Sequence, residues 1–168
     1  MFESNKQKTI SKVVFAVYLF LLCWLVLFKF SVHISELSRI RNINLVPFGQ
    51  SMVVNGSLSI KEIVYNALVF VPLGVYMELF LWKKPFVFKL GAGALLSVLF
   101  EAIQFVFAIG ASDITDVIAN TLGCLLGIAG CRMFWGVLRD KLAVAINSIG
   151  IVIEIAALLL LFLLTIAN

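Results

Sequence analysis

Residues 86–138 read FVFKLGAGALLSVLFEAIQFVFAIGASDITDVIANTLGCLLGIAGCRMFWGVL. Two apolar runs, 86–109 and 114–138, flank a short turn, and each is close to the ~20 residues that a helix needs to cross a bilayer. Lipid offers no hydrogen bonds to a bare backbone, so runs of this length fold as helices; the alternation of a membrane barrel is missing. Into this pair the chain places Glu101, Gln104, Asp113, Asp116 and Asn120. An ionisable side chain at membrane depth costs about 2.5 to 3.5 kcal/mol on insertion scales, and such groups turn towards a protein interior or a watery cavity. The stretch therefore predicts two antiparallel membrane helices that meet at a polar end.

Outward from it lie three further apolar runs, 13–32, 63–82 and 149–167. With 168 residues, 62% hydrophobic and 13% charged, the chain has more apolar surface than one small soluble core hides. The expected fold is all-α, a polytopic membrane helical bundle with about five transmembrane helices and one extracytoplasmic loop. It divides into a cytoplasmic tail (1–12), a four-helix membrane core that includes the loop 34–61 (13–138), and a cytoplasmic turn with the fifth helix (139–168).

Basic residues set the orientation. Lys6, Lys8, Lys12, Lys83, Lys84, Lys89, Arg132, Arg139 and Lys141 fall on one side, against Arg39, Arg41 and Lys61 on the other. The N-terminus is then cytoplasmic and the C-terminus extracytoplasmic. No small-residue cleavage site follows the first apolar run, which reads as an uncleaved signal anchor. The net charge of +4 is membrane topology and not a nucleic-acid footprint. Cys23, Cys124 and Cys131 all lie in apolar runs without a CxxC, and one histidine leaves metal-ligand spacings unmet; no metal or other cofactor is expected.

In this topology the polar residues gather outside. Glu101 and Gln104 share a face near the outer end of the third span, and Asp113, Asp116 and Asn120 fall within about one face of the fourth. They meet across the turn, with Asn66 near the outer start of the second span and Asn44 in the loop. Each has a plainer reading. Asp113 and Asp116 suit the first turn of a helix as caps, and Glu101 suits an interhelical hydrogen bond. Asn66 could repair the backbone break at Pro72. Gly123, Gly127, Gly130, Gly91 and Gly93 read as close helix packing, and Lys29 as a snorkelling interface residue. The loop is expected to fold back over the bundle and set Phe48 against apolar helix ends.

The order Arg41-x-x-Asn44-Leu-x-Pro47-Phe48, then Asn66-x-x-x-Phe70-x-Pro72-Leu-Gly74, then Glu101-x-x-Gln104, then Asp113-Ile-x-Asp116-Val-Ile-x-Asn120-Thr-Leu-Gly123 resembles the VanZ-like family of bacterial membrane proteins. The resemblance spans roughly residues 31–130, and the last block with the spaced Glu-Gln pair ahead of it is its most specific part. Where members often carry an arginine before the first aspartate, this chain has Gly110-Ala111-Ser112, leaving Arg39 or Arg41 as substitutes. The resemblance implies a protein of the bacterial cytoplasmic membrane linked to low-level resistance to teicoplanin and related lipoglycopeptides.

Two mechanisms from different classes fit. In one, Arg39, Arg41, Asn44, Asn66, Glu101, Gln104, Asp113, Asp116 and Asn120 bind or shield an envelope component: a membrane lipid, a lipid-linked cell-wall component or the lipoglycopeptide itself. In the other, a small intramembrane enzyme modifies a lipid-linked substrate with Glu101 and Asp116 as acid and base or as metal-holding carboxylates. No Ser-His-Asp set or phosphate loop is present, so the binding reading is preferred. A transporter is disfavoured because the spans show no duplicated halves and the charged groups do not continue to the inner side. Reporter tags at the N-terminus and after Lys84 should be cytoplasmic and a tag after Asn168 extracytoplasmic; a cytoplasmic C-terminal tag overturns this topology.

Overall fold

Each apolar run folds as a helix because only a helix satisfies its own backbone in lipid. The structure, a computed structural model, describes residues 4–28, 41–48, 53–54, 57–58 and 60–167. Its helices are α1 (Asn5–Phe28), α2 (Ile60–Phe80), α3 (Phe86–Phe107), α4 (Ile114–Leu138) and α5 (Leu142–Ala167). Among the described residues, four stretches are long and apolar enough to cross a membrane, the last running 53 residues from Ile114 to Ile166. A three-residue 3-10 turn, Arg139–Lys141, breaks that stretch into α4 and α5. At 1.5 Å per residue each of those two helices is about 38 Å long, enough for a bilayer crossing of its own.

The bundle is held by its smallest residues. The most extensive contact joins α2 and α4, which run parallel with α3 antiparallel between them in sequence. A Cβ built on Gly74 would stand 2.0 Å from the Cys124 carbonyl oxygen, one on Gly123 1.9 Å from that of Ala67, and one on Gly127 2.1 Å from that of Val71. Backbone therefore lies on backbone, the contact that small residues allow in lipid, where apolar burial drives no helix association. Gly93 of α3 closes on the Cys124 sulfur in the same way, at 2.6 Å for its added Cβ. Gly91 and Gly130 differ from expectation, since a Cβ on either meets nothing within 4 Å.

Larger side chains fill what the glycines leave. Leu22, Phe70, Leu73 and Phe100 form one core cluster of α1, α2 and α3, with Phe70 and Phe100 edge to face at 6.2 Å. Val14, Tyr76, Leu79 and Ala143 form a second, of α1, α2 and α5. Asn147 of α5 donates to the Ser11 hydroxyl of α1 at 2.8 Å, and Glu154 is turned into the bundle. Cys124 and Cys131 are buried and unbridged, as small core residues. Pro72 leaves α2 unbroken from Ile60 to Phe80, and the Tyr18 hydroxyl donates to the Val69 carbonyl a turn earlier at 2.8 Å. The outward surface is apolar, with Leu95, Val137 and Leu163 all exposed; such a band is tolerable only against lipid.

One end of the bundle corrects the sequence reading. Glu78 and Lys89, both fully buried, form a salt bridge, and Arg132 Nε donates to the second Glu78 oxygen at 2.8 Å. Arg132 also lies over the Phe86 ring, 5.7 Å from its centre. Charged groups thus continue to the end of the bundle opposite the α3–α4 turn, contrary to expectation. Lys89 is also a packed ion-pair partner and not only an orientation signal.

At the other end, α3 stops at Ala108, whose left-handed backbone (φ 53°) turns the chain into a short strand, β4 (Gly110–Asp113). The loop supplies β1 (Arg41–Asn44), which pairs with β4 in parallel from Arg41 opposite Gly110 to Asn44 opposite Asp113. Two further short strands, β2 (Val53–Val54) and β3 (Ser57–Leu58), pair antiparallel in the same loop. Residues 41–48 of the loop do fold back on the bundle. Phe48 differs from expectation: its side chain is half exposed, and its backbone N–H, donating to the Thr115 hydroxyl at 2.9 Å, makes the contact.

Gly123→Ala or Gly127→Ala should lower the thermal stability of the detergent-purified protein by an equivalent of about 1 to 3 kcal/mol, with Gly130→Ala within about 0.5 kcal/mol of wild type. Equal melting of all three variants would refute the glycine contact. Glu78→Ala, which strands two cations, should cost about 3 to 5 kcal/mol, and the pair change Glu78→Gln with Lys89→Met clearly less; the same melting curves decide it.

Candidate functional site

The turn end of the bundle holds a cavity of about 320 Å³ between α1, α2, α3 and α4. Asn66, Glu101, Gln104, Asp116 and Asn120 all line it. Helix spacing puts them there. Asp116 and Asn120 are one turn apart on α4, and Glu101 and Gln104 occupy the last turns of α3. The parallel packing of α2 on α4 brings Asn66 to Asp116, where its Nδ2 donates to Oδ1 at 2.6 Å. Asn66 is thus spent on an interhelical bond and not on the Pro72 backbone.

The carboxamides in this cavity point their nitrogens into the protein. Asn120 Nδ2 donates to the Ser97 hydroxyl at 2.8 Å, and Gln104 Nε2 donates to the Val26 carbonyl at 2.9 Å. Both side chains are 2% exposed, and Gln104 Oε1 and Asn120 Oδ1 have no hydrogen-bond partner. A buried carbonyl oxygen left so costs about 1 to 3 kcal/mol, so these acceptors call for a donor from outside the fold.

Glu101 stands at a divide. Its Oε2 accepts the Asp113 backbone N–H at 2.9 Å, and its carbonyl accepts the Ser112 hydroxyl at 2.7 Å, which ties the end of α3 to β4. On its far side a second, more apolar cavity of about 260 Å³ is lined by Asn44, Val98, Phe105 and Asp113 among others. Asp113 caps α4, accepting from the Thr115 N–H at 2.8 Å, and takes Asn44 Nδ2 at 3.1 Å. The plainer reading of Asp113 as a cap thus describes its geometry.

The nine candidates therefore do not share one pocket. Asn66, Glu101, Gln104, Asp116 and Asn120 line the first cavity, and Asn44 and Asp113 line the second with Glu101 common to both. The backbone of Arg41 lies in β1; its side chain and Arg39, Lys29 and His33 are outside the described residues. Among those described, no three His, Cys, Asp or Glu side chains come together with metal-holding geometry.

Sequence reasoning missed Lys61, Glu62 and Tyr65, which line the first cavity from the first turns of α2. The signal was the helical spacing, since Glu62 is four residues before Asn66 and Lys61 four before Tyr65. It also missed Ser97, whose role shows only through Asn120. Glu101, Ser97, Gly93 and Lys89 make one buried stripe down α3, each four residues from the next.

Comparison with known proteins covers the segment that builds both cavities and the charged end. The VanZ/LLP1 family model matches residues 15–135. Over 123 residues, 72% of this chain and 73% of the relative, the sequence is 39% identical to Protein VanZ of Enterococcus faecium. No solved structure matches. With the match running from α1 to the last turn of α4 and the site residues all inside it, the chain belongs to the VanZ/LLP1 family.

Proposed function

We propose that this protein gives low-level resistance to teicoplanin and related lipoglycopeptides at the outer face of the bacterial cytoplasmic membrane, by binding or shielding an envelope component in the cavity at the α3–α4 turn. In this reading the N-terminus is cytoplasmic, the C-terminus is extracytoplasmic and the cavity opens outward. The observation that carries it is a polar cavity within the family-matched segment, lined by Glu101 and the Asn66–Asp116 pair and walled by apolar side chains. Asn66, Glu101, Gln104, Asp116 and Asn120 line this cavity, Asn44 and Asp113 border the second cavity across Glu101, and Arg39 and Arg41, outside the described residues, are further ligand-binding candidates of the loop.

Binding is favoured over catalysis by how Glu101 is held. Its Oε2 accepts the Asp113 backbone N–H and its carbonyl the Ser112 hydroxyl, so the residue is tied into the junction of α3 and β4. The geometry thus supports a fixed receptor more than a pair of acid and base.

Glu101→Gln and Asp116→Asn keep size and hydrogen-bonding capacity while removing charge. Each should abolish lipoglycopeptide protection in a susceptible host while membrane abundance stays normal, and the double variant should be no worse than either single one, since groups acting as a unit are non-additive. Full protection by both single variants at normal abundance would make the cluster a packing feature.

A further inference from the structure

We infer that the first cavity takes the headgroup of a membrane phospholipid bearing a primary ammonium, an aminophospholipid of the phosphatidylethanolamine class. The inference rests on the reading that this cavity is the ligand site, and names what fills it. Its depth is built to accept. Gln104 Oε1 and Asn120 Oδ1 are orphaned acceptors in side chains that are 2% exposed, and both residues line the cavity beside Glu101 and Asp116. The matching amide nitrogens already donate to Val26 and Ser97, and Asn66 Nδ2 donates to Asp116. A group entering there must bring hydrogens.

A primary ammonium meets that demand: it has three N–H donors, no acceptor and a positive charge for the carboxylate wall. The rim carries both signs, Lys61 beside Glu62. Lys61, exposed in the first turn of α2, lies at the end of the helix where the dipole favours an anion, and is placed to take a phosphate. Leu25, Val26 and Val69 line the cavity between, and suit the glycerol and the first carbons of acyl chains better than a free, chainless headgroup. Cation deep, anion at the rim and apolar wall alongside are the parts of one zwitterionic lipid.

Phosphatidylcholine is the discriminating probe, having the same charges but no N–H on its quaternary nitrogen. Full-length protein in detergent, incubated with palmitoyl-oleoyl phosphatidylethanolamine, phosphatidylcholine or phosphatidylglycerol and read by native mass spectrometry, should retain the first about tenfold better than the second, the worth of a hydrogen bond to a charged group. Gln104→Met should erase that preference while phosphatidylcholine retention holds. Lys61→Gln, an exposed change that does not bear on folding, should weaken both lipids alike. Equal retention of the ethanolamine and choline lipids by the wild type, or preference for phosphatidylglycerol, overturns the inference. If Glu101→Gln and Asp116→Asn still lose protection in that event, the site stands and only its occupant is wrong; if they protect fully, the site itself is wrong.

Discussion

The close approach of α2 to α4 is the constraint on which everything else depends. Gly74, Gly123 and Gly127 leave no side chain between two backbones, and the register this fixes carries through the membrane: Asn66 meets Asp116 at one end and Glu78 meets Arg132 at the other. In lipid, where apolar side chains gain little by leaving one apolar medium for another, dispersion between touching backbones and hydrogen bonds across the seam do the holding. A slip of one helical turn between these two helices would break both polar contacts at once. The glycines are thus part of the site's construction, though none of them lines the cavity.

Polar groups are not scattered along this seam but sorted by how completely they are satisfied. At the Glu78 end, one buried carboxylate is met by a buried ammonium and a half-exposed guanidinium, an arrangement whose partners all lie within the fold. At the turn end, two buried carboxamide oxygens remain without partners beside a cavity. A closed ion network fixes the packing of three helices, while unmet acceptors retain a capacity to bind. The distinction separates an architectural cluster from a receptive one, even though both are costly in a membrane.

The loop joins this arrangement through the backbone. β1 pairs with β4 immediately after the left-handed turn at Ala108, and Glu101 holds the Asp113 N–H from below. One glutamate therefore borders two cavities and anchors the strand between them. That single hydrogen bond links the cavity lining to β4.

Much was legible in the sequence because lipid is an unforgiving solvent. The helices, the turn, the polar end and the pairing of the third and fourth spans followed from run lengths and from the cost of charge in hydrocarbon, and the family from the spacing of Asn66, Glu101, Gln104, Asp116 and Asn120. What only the tertiary structure decided was which faces meet. Lys89 and Arg132 read only as orientation signals and Glu78 carried no expectation, because nothing local tells a carboxylate which helix will supply its cation. Asp113 and Asp116 stand one turn apart yet serve different cavities, since the helix start turns one to the strand and the other to α2. Gly91 and Gly130 are as small as Gly74 and Gly127, but smallness permits a contact and does not choose a partner. Periodicity fixes a face within one helix; the register between helices is set by all of them packing together.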